Sequence, residues 1–253
     1  MDRYIPAAVR RDLRTEVNHG CAVCGSPLVD YHHIIPKNER DHNNPEHMIT
    51  LCPNHHRLAD DGAISRERLY YLKNNPHNDE IVDSLFYFES EQPKFEIADL
   101  TCEVPQEGEY ALVKINKKDL FVLEYNSGLI TFNLEIYNQD NELIAEVTNN
   151  EWKAYTDRVW DLVYRSNELK IWDPDENIRL KLVYDKESDV IQFEGKFYYD
   201  NEELIIYPSR ITSSRGGTVK GSGKIVLASP KNCVLFHIAT DKGGIQMGKP
   251  FNL

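Results

Sequence analysis

The spacing of apolar residues changes character along the chain. Near the start it is helical. Ile5, Val9, Leu13 and Val17 fall on one stripe and predict a helix over 5–17. The run PLVDYHHII (27–35) is β-like and stops at Pro36, and the polar, Asn- and Asp-rich stretch 37–46 reads as a loop. His47–Leu51 is a short apolar segment. Pro53 suits the first turn of a helix over 53–60, which Gly62 closes. Ser65 is placed to cap a second helix over 66–74, with Glu67 and Arg68 near its start. Residues 78–90 (NDEIVDSLFYFES) read as a third, more amphipathic helix, and 91–108, with Pro93 and Pro105, as a linker.

From about residue 109 the period is two. In LITFNLEIY (129–137), Ile130, Phe132, Leu134 and Ile136 share one face. Similar runs lie at 142–147, 160–164, 168–172, 178–184, 190–199, 203–207, 224–228 and 233–239, separated by Asn, Asp, Ser and Gly. Many short strands at this spacing predict an all-β sandwich or barrel. The motifs NELI (141–144), NELKI (167–171) and NEELII (201–206) recur without a fixed period. They read as hairpin turns, with a β-solenoid as the alternative. The expected division is 1–90, a linker at 91–108, and a β-rich region at 109–253.

Composition adds exclusions. No apolar run approaches the roughly 20 residues of a membrane span. The start of the chain is charged, without the apolar core of a secretion signal, so the expected location is the cytoplasm, with no membrane partner. The net charge of −12 is unevenly spread. Residues 1–78 hold 10 basic and 10 acidic side chains, 79–209 hold 12 against 30, and 210–253 hold 7 against 1. The acidity belongs to the middle of the chain. A neutral N-terminal part can still bind phosphate through local cations and a divalent ion.

The candidate chemistry is concentrated between Cys21 and Asp60. That window holds Cys21, Cys24 and Cys52 and the histidines 32, 33, 42, 47, 55 and 56. Cys21-x2-Cys24 and Cys52-x2-His55 are two short knuckles that can close a tetrahedron around zinc, with His56 as the competing fourth ligand. An odd cysteine count in such company reads as metal binding and not as a disulfide framework; Cys102 and Cys233 read as inert thiols. His56 and Asp60 are four apart on one helix face. With His32 they form a second candidate set, for a catalytic divalent ion. His33 beside it is the candidate general base. Neighbouring strand residues face opposite ways, so His32 and His33 can share a site only if the strand ends there.

The stretch CAVCG…YHHIIP…PEHMITLCPNHHRLADDG resembles the zinc-containing branch of the HNH endonuclease superfamily, and IPAAVRRDLRTEVNHG resembles its leading helix. The resemblance covers about residues 4–64. It implies an α+β chain: a zinc-stapled ββα-metal domain at the N-terminus, followed by the all-β region. It assigns structural zinc to Cys21, Cys24, Cys52 and His55. It makes His33 the base and His32 and His56 ligands of a catalytic ion, Mg²⁺ or another divalent metal, to which the residue spacing adds Asp60. The family's middle asparagine, which orients the base, is here His47, with Asn43 and Asn44 close by as stand-ins. The implied activity is hydrolysis of phosphodiester bonds in DNA, in a setting such as restriction or anti-phage defence. The β-rich half would then serve recognition, regulation, oligomerisation or a protein partner. The rival readings are a non-catalytic zinc module that binds DNA or protein, and an RNase toxin. Elsewhere bland readings prevail. His19 is a helix-end residue, His42 a solvated loop residue, and His77 and His237 stand alone. Trp152, Trp160 and Trp172 belong to cores. SSRGGTVKGSGK (213–224) is a loop that lacks the P-loop pattern.

Overall fold

The computed structural model describes residues 4–227, 230 and 233–250. The chain divides into two compact units, Met1–Ser84 with Ala154–Ser166, and Leu85–Lys153 with Asn167–Leu253. It is mostly β, with three α-helices among the described residues, none of them long and apolar enough to cross a membrane.

In the first unit, helix α1 (Ala7–Glu16) precedes an antiparallel pair, β1 (Asp30–His33) and β2 (Met48–Leu51), followed by helices α2 (Pro53–Asp60) and α3 (Arg66–Asn74). The core gathers Val17, Ile34, Ile49, Leu51, Ala59, Leu69 and Leu72 around the buried Cys21 and Cys52. Each helix has a local cause. Pro53 occupies the first turn of α2, where no N–H is needed. The end of α2 is a Schellman closure: Gly62 N–H donates to Ala59 O (3.1 Å) and Ala63 N–H to Leu58 O (2.9 Å). That closure needs a left-handed residue, and Gly62 supplies it at φ 74°. Ser65 caps α3 by accepting from Arg68 N–H.

Residues 154–166 belong to this unit although they come from the middle of the β-rich half. Asp161, buried, accepts from Arg14 Nε at 2.9 Å and from Arg14 Nη2. The same guanidinium donates to the Tyr31 hydroxyl. Arg11 stacks on Trp160 at 4.5 Å. The stretch is also tied by Thr156 N–H to Glu80 O and by the Thr156 hydroxyl to Asp79 O. The expected boundary of a continuous N-terminal 1–90 module is therefore too simple. His19 closes α1 at φ 61°, with its N–H on Arg14 O and its ring buried 4.0 Å from Asp161.

Two expectations fail next. Residues 78–90 hold no helix: Ile81–Leu85 is a strand, and Glu89 continues with an isolated bridge. Burial alternates, with Val82, Phe86 and Phe88 inside and Ile81, Asp83, Tyr87 and Glu89 outside. Adjacent β-branched Ile81 and Val82 favour the pleat, which settles a pattern whose 3–4 spacings also suited a helix. Residues 91–108 are not a linker. Lys94–Ile97 and Leu100–Glu103 pair antiparallel, burying Phe95, Ile97 and Cys102. Ala98 and Asp99 form a two-residue turn with positive φ, and the prolines flank the hairpin without interrupting it.

The second unit is built from two sheets. One runs in the order Gln246–Pro250, Cys233–Ile238, Gly108–Ile115, Lys118–Asn126, Leu129–Tyr137, Leu143–Thr148. The other runs Glu168–Trp172, Ile178–Asp185, Val190–Tyr199, Glu202–Tyr207, Arg210–Ser213, Thr218–Val219. They meet through Phe121 and Phe193 (4.6 Å) and Phe95 and Phe132 (5.8 Å). No closed barrel forms among the described residues. Most neighbours are consecutive antiparallel strands, a meander and not the stacked coils of a solenoid. Two-residue turns with both φ positive, at Ser127–Gly128, Asn149–Asn150 and Asp200–Asn201, set the hairpins. In the 213–224 stretch, Arg215 pairs with Glu202 and Lys224 with Glu103, so these cations are engaged within the unit. Trp152 is buried, as is Cys102; the side chain of Cys233 lies outside the described residues.

Candidate active site

Helix α2 carries two clusters on two faces. His55 and His56 are adjacent, so the helical turn sets their side chains about 100° apart. Cys52 and His55 share one face, His56 and Asp60 the other.

On the first face, Cys21, Cys24, Cys52 and His55 bring one ligand atom each within 4.8 Å of one another. Cys24 and Cys52 sulfurs are 3.8 Å apart, and His55 Nδ1 is 3.1 Å from Cys52 Sγ and 3.5 Å from Cys21 Sγ. A zinc tetrahedron with its usual bond lengths has edges of about 3.8 Å between sulfurs and about 3.6 Å between sulfur and nitrogen. The Cys₃His set fits structural zinc. The first knuckle is shaped by backbone contacts. Val23 N–H points at Cys21 Sγ (3.4 Å), Gly25 N–H donates to Cys21 O (2.8 Å), and Gly25 sits at φ 77°. A Cβ on Gly25 would stand 2.1 Å from Asn78 Oδ1, so the turn requires glycine. Burial pushes the Cys21 thiol up to about 12.

On the second face, His32, His56 and Asp60 form another such group. Asp60 Oδ1 lies 3.3 Å from His32 Nδ1 and Asp60 Oδ2 lies 3.1 Å from His56 Nδ1. Adjacent ligands of an octahedral ion bound at 2.0–2.1 Å are about 3.0 Å apart, so the donor spacing fits a hard divalent ion, and the mixed N/O set also suits Mn²⁺. The set borders an open cleft of about 1000 Å³ that His33, Lys37, Ser65 and Arg66 also line. Burial holds His32 below its ordinary value, helped by His56 and opposed by Asp60. Neutral imidazole, the form that binds metals, is thereby favoured.

His33 reaches the same cleft as His32 because β1 ends at His33 and Pro36 turns the chain. Its Nε2 lies 3.1 Å from His42 O. A carbonyl only accepts, so Nε2 carries the proton and Nδ1 keeps its lone pair. Burial lowers the His33 pKa, and the Asn43 side chain and the His42 carbonyl oppose it. Asn43 donates from Nδ2 to Tyr4 O (3.1 Å), and its buried Oδ1 makes no hydrogen bond.

His47, the residue expected to orient the base, does not touch His33 through its Nδ1. His47 Nδ1 meets the Tyr70 hydroxyl at 2.9 Å. The neighbours of His33 are the His42 carbonyl, the Asn43 carboxamide and the His42 ring at 5.2 Å. His42 is not a solvated loop residue. It is half-buried and donates from Nε2 to Ile35 O (2.9 Å), while its Nδ1 accepts from Asn44 N–H (3.2 Å). Both nitrogens are used, which locks the loop that presents its carbonyl to His33. His42 meets His33 through its backbone carbonyl, which residue identity does not reveal; its one sequence signal is the run of asparagines beside it.

A family model described as HNH endonuclease matches residues 21–65. No curated protein and no solved structure matches the chain. The match runs from the first knuckle to the cap of α3, and so takes in both clusters and His33. It points to a nuclease or nucleic-acid-binding function for the N-terminal part of the chain.

Proposed function

We propose that the chain is a metal-dependent endonuclease that hydrolyses phosphodiester bonds in DNA. The observation that carries this reading is the division made by α2. One face holds a closed Cys₃His set, as structural zinc requires. The other opens on a cleft with a three-donor set and a neighbouring imidazole. A purely structural zinc module has no use for the second face.

In this reading Cys21, Cys24, Cys52 and His55 fix the hairpin against α2. His33 takes a proton from water at Nδ1, its Nε2–H steadied by the His42 carbonyl. His32, His56 and Asp60 hold a divalent ion, Mg²⁺ being the physiological choice, which supplies Lewis-acid stabilisation of charge on the phosphate and the leaving oxygen. Asp60 stands between the two imidazoles and sets their spacing.

The test is incubation of the full chain with duplex DNA, single-stranded DNA and tRNA, with Mg²⁺ or Mn²⁺ and then with chelator. Duplex cleavage that stops when the added ion is removed is expected. Cleavage of RNA alone would overturn the substrate, and no cleavage of any of the three would overturn the activity.

A further inference from the structure

Arg66 is the first residue of α3 and lines the cleft beside the His32, His56 and Asp60 group. Its guanidinium is paired with Glu39, from the turn where Glu39 and Arg40 N–H groups fold back on Pro36 O. Both side chains are about half exposed, at 50% and 49%. An exposed pair of this kind is weakly held. A guanidinium fork matches a phosphate as well as a carboxylate. Lys37, two residues before Glu39, lines the same cleft. By contrast, Arg14 of this unit is committed to a buried internal partner, Asp161.

We propose that Arg66 is a phosphate-binding residue of the cleft and that Glu39 is a placeholder which a backbone phosphate displaces. The inference rests on the nuclease reading and deepens it by naming where the non-scissile backbone docks. A phosphodiester replaces the carboxylate one negative charge for one, so Arg66 is never left unpaired. Glu39 then competes with the substrate, and the two residues of one ion pair have opposite effects on binding. A pair that merely stapled the loop to α3 would give effects of the same sign.

The experiment measures binding of the full-length, zinc-containing protein to a fluorescein-labelled 20-base-pair duplex by anisotropy, without added divalent ion, across a salt series. Arg66→Gln should weaken binding about 10-fold and reduce the salt slope by about 1. Glu39→Gln should tighten it about 2- to 5-fold. Arg66→Lys, which keeps charge without the fork, should fall between wild type and Arg66→Gln. Thermal melts within about 2 °C of wild type would certify folding of each variant. Unchanged binding by Arg66→Gln, or weakening by both Arg66→Gln and Glu39→Gln, overturns the proposal. If the wild-type chain binds neither this duplex nor a labelled RNA of the same length, the nuclease reading itself falls. If it binds but the two variants behave like wild type, the Arg66–Glu39 proposal falls and the nuclease reading stands.

Discussion

The two donor clusters that meet at α2 share imidazoles but differ in their other donors and in their surroundings. The Cys₃His side is set in the core of its unit, with Cys21 and Cys52 buried among Val17, Ile49 and Leu51 and its loop braced by backbone N–H groups. The His32, His56 and Asp60 side faces an open cleft, with the Asp60 side chain 52% exposed. Soft thiolates in a closed tetrahedron suit a resident ion that contributes folding energy. Two imidazoles and a carboxylate at an open edge leave room for water and substrate. Two side chains one residue apart, His55 and His56, are thus sent to different donor clusters by the pitch of one helix, and the proposed reading gives one a structural and the other a catalytic role.

Removing one ligand on the closed side gives the largest effect. Cys52→Ser should lose zinc and, with it, the cooperative unfolding of the first unit, read by metal analysis and a calorimetric scan. If that unit stays folded with no zinc bound, the closed cluster is not its staple. On the open side, His33→Ala should keep the zinc and the melting transition while cleavage falls by about 10²- to 10⁴-fold. Equal loss of stability in this variant would erase the distinction between the two faces. Asp60→Asn should weaken the added Mn²⁺ or Mg²⁺ by about 10- to 100-fold, seen as a shift in the ion titration of activity, at unchanged zinc content. The smallest effect belongs to position 47. His47→Ala should change kcat by less than about 3-fold, because the His42 carbonyl, and not the His47 ring, holds His33. A loss as large as that of His33→Ala would restore His47 to the orienting role.

Much of the candidate site was legible in the sequence because its parts are local. The knuckle spacings, the His56–Asp60 interval, Pro53 and the Ser65 cap are each set within one turn of chain; the structure clusters the donor atoms and puts Pro53 and Ser65 at the helix starts. The loop 37–46 was less legible. His42 acts through its carbonyl, and a backbone contact leaves no trace in residue identity. Segment 154–166 could not be assigned to the first unit at all. Its tie is Asp161 on Arg14, 147 residues apart, and both side chains are ordinary charges until they are buried together. In the β-rich half, strong alternation gave strands such as Leu129–Tyr137 and Val190–Tyr199 as read, whereas sheet order depends on pairings between distant strands, such as Cys233–Ile238 beside Gly108–Ile115. The strand at Ile81–Leu85 was misread because Val82, Phe86 and Phe88 satisfy both periods.

In the proposed reading one helix serves two metal positions of different character. Anomalous diffraction from crystals soaked in Mn²⁺, with data at the zinc and manganese edges, tests it most directly. Expected are a zinc signal among Cys21, Cys24, Cys52 and His55 that survives soaking, and a separate manganese signal among His32, His56 and Asp60. Manganese absent from the second group at concentrations that support cleavage, or a single ion shared across α2, would contradict it.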